Sequence, residues 1–233
     1  MAAVVFDLFN TLTLPVDRSM FRASLTEMAC AVGAEPDAFA QAWSDTWRER
    51  FSRAYPTAEA DVRSVCTVIG LHIDTEGIRR ASQIRAEFAR RTLRPRADAV
   101  ATLVRLRSLD LRTALISDCS PPVPALWSAT PFAQWIEEPL FSCAEGLIKP
   151  DPALYLRACE RLAVAPGACV YVGDGGNGEL SGAERVGMRA ILIRTPATSA
   201  AYDSERTSWP GEAIDALGEL PELIIRAGIA AAD

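Results

Sequence analysis

Four stretches of this 233-residue chain carry side chains able to do chemistry together. Asp7 opens Asp7-Leu8-Phe9-Asn10-Thr11-Leu12, Ser117-Asp118 closes an apolar run, and Lys149 lies in Gly146-Leu147-Ile148-Lys149-Pro150-Asp151-Pro152. Asp174 and Glu179 fall within the glycine-rich Gly173-Asp174-Gly175-Gly176-Asn177-Gly178-Glu179. A carboxylate, hydroxyls, an ammonium and a second acidic cluster suit attack by a carboxylate on an electrophile that bears negative charge. Asp7 is the expected nucleophile. Lys149 offsets the charge gathered around it, and Thr11 and Ser117 donate hydrogen bonds to substrate oxygens. Asp7 and Asp174 together offer hard oxygen ligands to Mg2+, which bridges carboxylates and phosphate readily. The glycines let backbone and carboxylates crowd a small site. Lys149 is the only lysine among 24 basic residues. Where plain positive charge suffices the chain uses arginine, so the single compact ammonium marks a separate task.

Rigid elements must hold these stretches in place. The runs 3–6 (AVVF), 111–116 (LRTALI), 168–172 (ACVYV) and 189–193 (RAILI) are continuous and apolar, the pattern of strands buried on both faces. Helix-period segments at 97–108, 151–163 and 178–187 separate them, which predicts a parallel α/β sheet. Ligands bind such sheets at the carboxyl ends of the strands, where three of the four stretches begin. Residues 15–95 break the rhythm with four helical stripes: Phe21, Leu25, Met28, Val32; Phe39, Trp43, Trp47, Phe51; Val62, Val65, Cys66, Ile69; and Ile78, Ala81, Ile84, Phe88. The predicted organisation is therefore a core of residues 1–14 and 96–233 with a helical insertion at 15–95, flanked by Pro15 and Pro95. The aromatic stripe is expected to form the core of the helical bundle. The alanine-rich end, Ile229-Ala230-Ala231-Ala232, is expected to fray.

Composition removes several classes of function. A net charge of -6 argues against binding a nucleic-acid backbone. Six cysteines without a Cys-x-x-Cys pair, and a single histidine, argue against structural zinc. The first residues lack the basic and long apolar regions of a secretory leader, so reduced thiols and a cytoplasmic location are expected. No apolar run is long enough to span a membrane. A Ser-His-Asp hydrolase would have to use His72, which is expected instead to be a packed or solvent-facing residue of a cap helix. Seven arginines between 79 and 96 are expected to form a solvated face, while Arg18 and Arg22 are better placed to meet an anionic substrate.

With these stations in this order and an insertion after the first, the sequence resembles the haloacid dehalogenase-like hydrolase superfamily along essentially its whole length. FDLFNTL, LISD, IKPDP and YVGDGGNGELSGA resemble that family's four motifs. The resemblance implies a Rossmann-like core, a helical cap that closes over the site, and a covalent intermediate on Asp7. It also implies Mg2+ held by Asp7, the Phe9 carbonyl, Asp174 and Glu179. Phe9, Asn10, Asp118 and Arg22 are expected to border the substrate. Asp118, where asparagine is commoner in the family, adds a negative charge that lowers phosphate affinity or receives a positive group of the substrate.

Phe9 occupies the position where phosphatases of the family carry a second aspartate that protonates the leaving alcohol. A phenyl ring transfers no proton, and such general acid catalysis contributes on the order of 100- to 10,000-fold. An aromatic residue there resembles the 2-haloacid dehalogenase branch, as does Tyr155 six residues after Lys149. Asp174 and Gly176, however, stand where that branch carries serine and asparagine. The sequence thus predicts a Mg2+-dependent phosphatase of a small anionic metabolite with a good leaving group, such as an acyl or phenolic phosphate, working as a monomer or homodimer. The alternatives are a metal-free 2-haloacid dehalogenase and a noncatalytic binding relative of the same fold.

Overall fold

A computed structural model of the chain describes residues 2–52, 55–196 and 205–229. Its centre is a sheet of six parallel strands: β1 (Ala3–Phe6), β2 (Arg112–Ser117), β3 (Glu138–Phe141), β4 (Cys169–Gly173), β5 (Arg189–Ile193) and β6 (Glu212–Ile214). They lie in the order β3-β2-β1-β4-β5-β6, a Rossmann-like arrangement. Alternation along β1 sends Val4 and Phe6 to one face and Ala3 and Val5 to the other. Four of these strands coincide with the predicted runs. The other two, β3 and β6, are short edge strands that the hydrophobic pattern does not reveal.

Helices α1 (Arg18–Val32), α2 (Pro36–Asp45), α3 (Trp47–Phe51), α4 (Ala58–Val68) and α5 (Thr75–Thr92) follow β1 in succession. Leu25, Met28, Phe39, Trp43, Val65 and Ile78 close a core of their own within this layer. Sequence signals delimit the helices. Asp17 caps α1, accepting from Ser19 N at 2.7 Å, and the left-handed Gly33 ends it. Asp74 caps α5, accepting from Gly77 N at 2.7 Å. Each such cap is worth about 1 kcal/mol. The predicted second stripe is divided by Thr46, so that Phe39 and Trp43 ride on α2 while Trp47 and Phe51 ride on α3. His72 lies exposed between α4 and α5, not on a helix. Where the chain leaves the sheet layer and returns to it, Thr13 and Pro95 pair in an antiparallel bridge.

The remaining helices are α6 (Ala99–Ser108), α7 (Pro122–Trp127), α8 (Ser142–Glu145), α9 (Pro152–Leu162), α10 (Glu179–Arg185) and α11 (Leu220–Arg226). Leu103 and Leu106 of α6, Val123 of α7 and Ile224 of α11 pack on one face of the sheet. Leu154, Ala158 and Leu162 of α9 and Leu180 and Ala183 of α10 cover the other. No helix among the described residues is long and apolar enough to cross a membrane. Of the alanine-rich end, residues 230–233 lie outside the described residues. All six cysteines are free thiols, and only Cys30 is exposed.

Candidate active site

Strand order sets the location. The chain builds outward from β1 through β2 to β3, then starts again on the other side with β4, so the ends of β1 and β4 flank the reversal point where open sheets bind ligands. Asp7 leaves β1 there, its N–H donating to the Val172 carbonyl at 2.9 Å. Asp174 follows β4 directly.

Lys149 reaches this point from the loop before α9 and is 4% exposed. Its Nζ lies 2.5 Å from Asp7 Oδ1 and 2.6 Å from Glu179 Oε2. Tyr171 donates to the same Glu179 oxygen at 2.8 Å, and Gly175 N donates to Oε1 at 2.9 Å. Gly173 must lack a side chain, because a Cβ at that position would collide with the Glu179 carboxylate. Burial pushes the pKa of Asp7 up against the pull of Lys149, with Asp174 adding to the rise. Glu179 is raised for the same reasons. Burial opposes the charge on Lys149, but Asp7 and Glu179 outweigh it and hold the ammonium well above its ordinary pKa.

Thr11 and Ser117 are fully buried. Thr11 lies close enough to Asp7 to draw its pKa down. Neither hydroxyl makes a hydrogen bond of good geometry, and Asp7 Oδ2 has no partner either. Unsatisfied buried polar atoms are rare in folded proteins, and Asp7 Oδ2 with the neighbouring Thr11 hydroxyl marks a place that polar atoms of a ligand can complete.

Asn10 adopts a left-handed backbone conformation (φ 61°), which asparagine tolerates. Its carboxamide accepts from Val16 N at 2.8 Å and donates to Asp174 Oδ2 at 2.9 Å, so it ties the turn after β1 to the end of β4. Asp118 accepts from Lys149 N and from Asn177 Nδ2, both at 3.0 Å. Tyr155 is buried behind the site, donating to the Glu179 carbonyl at 3.0 Å. Arg22 borders the cavity but is exposed, and its guanidinium is 2.8 Å from Asp37.

Asp7, Asp174 and Glu179 each offer a carboxylate oxygen within 4.8 Å of the others. This all-oxygen donor set of three converging carboxylates fits Mg2+. Phe9 lies in the turn that directly follows Asp7. Arg206 is an addition that the motifs do not reveal: it pairs with Asp174 Oδ2 and donates from Nε to the Asp174 carbonyl at 3.2 Å. A cation at the three carboxylates competes with that guanidinium. Arg206→Ala is therefore expected to tighten Mg2+ binding about fivefold, equivalent to about 1 kcal/mol. Titration calorimetry reads this directly, and unchanged affinity would show that the pair does not compete with the metal.

Above Asp7 a cavity of about 480 Å³ extends into the helical layer, bordered there by Phe21, Trp43, Trp47, Phe51 and Phe88. Arg85 of α5 also borders it; this residue is turned inward, 8% exposed, and donates to Ser120 Oγ at 3.1 Å. The expected solvated arginine face therefore omits Arg85, and it omits Arg96 too, whose side chain is 15% exposed and donates to the Asn10 carbonyl at 3.3 Å. Behind the cavity Arg50 lies buried, 3.9 Å over the Trp43 ring and 4.0 Å from Asp61. Burial pushes Asp61 up to about 6 against the pull of Arg50 and Arg85.

Residues 1–187 match the family model of the haloacid dehalogenase-like hydrolases. Among curated relatives, glyceraldehyde 3-phosphate phosphatase of Methanopyrus kandleri is 29% identical over 113 residues, and the chain spans 44% of its length, with 44% of this chain covered. (S)-2-haloacid dehalogenase 4A of Burkholderia cepacia is 26% identical over 215 residues, 86% of each chain. The solved structure of 2-haloacid dehalogenase from Pseudomonas syringae pv. Tomato DC3000 superposes with a TM-score of 0.69 at 26% identity, covering 97% of this chain and 100% of that one.

Proposed function

Because the chain belongs to the haloacid dehalogenase-like hydrolases, we propose that it is a Mg2+-dependent phosphatase of a small phosphorylated metabolite, with Asp7 as its nucleophile. The observation that carries this reading is the convergence of Asp7, Asp174 and Glu179 at the ends of β1 and β4. A carboxylate trio suits a phosphate-bridging divalent cation. Displacement of halide from carbon needs none.

Asp7 Oδ2 attacks phosphorus, and the bond from phosphorus to the substrate's bridging oxygen breaks with its electron pair leaving on that oxygen. Water then attacks the same phosphorus and frees Asp7. Thr11 and Ser117 offer their unpaired hydroxyls to the phosphoryl oxygens. Lys149 keeps Asp7 ionised and in position through the 2.5 Å contact. Asp7, Asp174, Glu179 and the Phe9 carbonyl would hold Mg2+, which supplies Lewis-acid charge for the phosphoryl group. Helices α1–α5, the proposed cap of residues 15–95, enclose the organic part of the substrate, with Arg22 at the outer rim and Asp118 on the inner wall.

A second reading, displacement of halide from a 2-haloacid by Asp7, is favoured by Phe9, since halide leaves without a proton. One assay separates the two. Aryl-phosphate hydrolysis with Mg2+, lost on chelation, is the expected outcome. Release of halide from 2-chloropropionate in the presence of chelator, with no phosphate turnover, would establish the second reading instead.

A further inference from the structure

We propose that the natural leaving group is a phenolic oxygen, so that the substrate is an aryl phosphomonoester whose ring occupies the cavity above Asp7. The inference rests on the phosphatase reading and goes on to name the class of substrate. Two independent observations meet in it.

The first concerns the proton. Phe9 stands beside the nucleophile with a ring that donates none. Asp118, the other acid bordering the cavity outside the carboxylate trio, is engaged through both oxygens by Lys149 N and Asn177 Nδ2. The departing oxygen must then carry the electron pair of the broken bond as an anion. A phenol has a pKa of about 10. An aliphatic alcohol resembles water, at about 15.7. Phenolate departs unaided and alkoxide does not.

The second concerns the body of the substrate. An acyl phosphate would also leave without a proton, but a small acyl group leaves most of a cavity of about 480 Å³ unfilled. The walls are aromatic and already arranged in pairs. Phe21 and Phe88 lie 5.8 Å apart, tilted by 53°, and Trp47 and Phe51 lie 5.8 Å apart, edge to face at 75°. An inserted ring finds both faces and edges to pack against, a gain beyond simple burial. These side chains line open space next to the nucleophile, unlike Phe39, which is spent in the packed core of the helical layer.

Three phosphorylated compounds test this with Mg2+ present: the esters phenyl phosphate and cyclohexyl phosphate, of similar bulk, and the anhydride acetyl phosphate, with a good leaving group and no ring. The expected kcat/KM for phenyl phosphate exceeds that for cyclohexyl phosphate by roughly 100-fold or more, the contribution of an absent general acid. Phe9→Asp is expected to raise cyclohexyl phosphate turnover at least tenfold and so narrow the gap. Trp47→Leu, at a half-buried position, is expected to raise KM for phenyl phosphate by a larger factor than KM for acetyl phosphate. Equal turnover of cyclohexyl and phenyl phosphate would overturn the inference, as would equal effects of Trp47→Leu on both KM values. Hydrolysis of acetyl phosphate alone would leave the phosphatase reading standing and remove this one. Failure of all three compounds would remove both.

Discussion

Asp7→Asn is expected to lower kcat by a factor on the order of 10,000 or more while the protein stays folded. Asparagine keeps the shape of the side chain and can still accept the Lys149 hydrogen bond, so the 2.5 Å contact has a neutral counterpart. It cannot form the bond to phosphorus, and loss of a nucleophile removes an interaction made only along the reaction path. Lys149 keeps Glu179 as a charged partner at 2.6 Å, so the variant does not leave the buried ammonium unpaired. Thermal unfolding of the variant should lie close to that of the parent. Retained turnover in a folded Asp7→Asn protein would show that the chemistry runs elsewhere.

Lys149→Met is expected to damage both stability and activity. The ammonium lies between two buried carboxylates, and its removal leaves Asp7 and Glu179 facing each other without compensation. Breaking a buried pair in this way costs about 3–5 kcal/mol. The loss should depend on pH. Without Lys149, both carboxyls, already raised by burial, rise further above their values in the unfolded chain. A raised acid stabilises the native state below its unfolded pKa and loses that contribution as pH climbs through its folded pKa. The Lys149 ammonium of the parent, held well above its ordinary pKa, stays charged throughout this range. The stability gap between parent and variant should therefore widen from pH 5 to pH 8 in urea unfolding. A gap independent of pH would mean that the carboxylates find other partners. Arginine is no substitute, because a planar fork does not fit where a point charge sits between two oxygens.

The parts of this molecule that can be read from sequence are those where one physical constraint acts alone. Strands β1, β2, β4 and β5 are covered on both faces, so their residues must be continuously apolar, and the runs announce them. Strand β3 contains Glu138 and Pro139, and β6 has only Ile214 fully inside, so at the sheet edges the constraint relaxes and the pattern fades. Asp7, Lys149, Asp174 and Glu179 stand out because acids and a lone lysine beside buried strands have few other reasons to be there.

Arg206, Asn177 and Tyr171 take their partners from the fold: Asp174, Asp118 and Glu179 lie beside them only once the sheet is assembled. Arg85 did leave a trace. It continues the buried spacing Ile78, Ala81, Phe88 and Ala89 along α5, so helical periodicity turns it inward while its neighbours Arg79, Arg80, Arg90 and Arg91 face out. Asn10 could be placed at the site by its motif, but its tie to Asp174 depends on a left-handed turn that only the three-dimensional arrangement reveals.

Phosphoryl transfer to Asp7 places a covalent phosphoryl group on its carboxylate in every turnover. Mixing the protein with phenyl phosphate and Mg2+, quenching in acid within the first turnover and weighing the peptide that contains Asp7 tests it most directly. The expected result is a gain of one phosphoryl group on that peptide, absent in Asp7→Asn, with oxygen from isotopically labelled water appearing in the released phosphate and not in the Asp7 carboxyl. Labelled oxygen in the Asp7 carboxyl, with no phosphoryl peptide, would contradict phosphoryl transfer to Asp7, because it marks water attacking the carbonyl carbon of an ester formed with carbon.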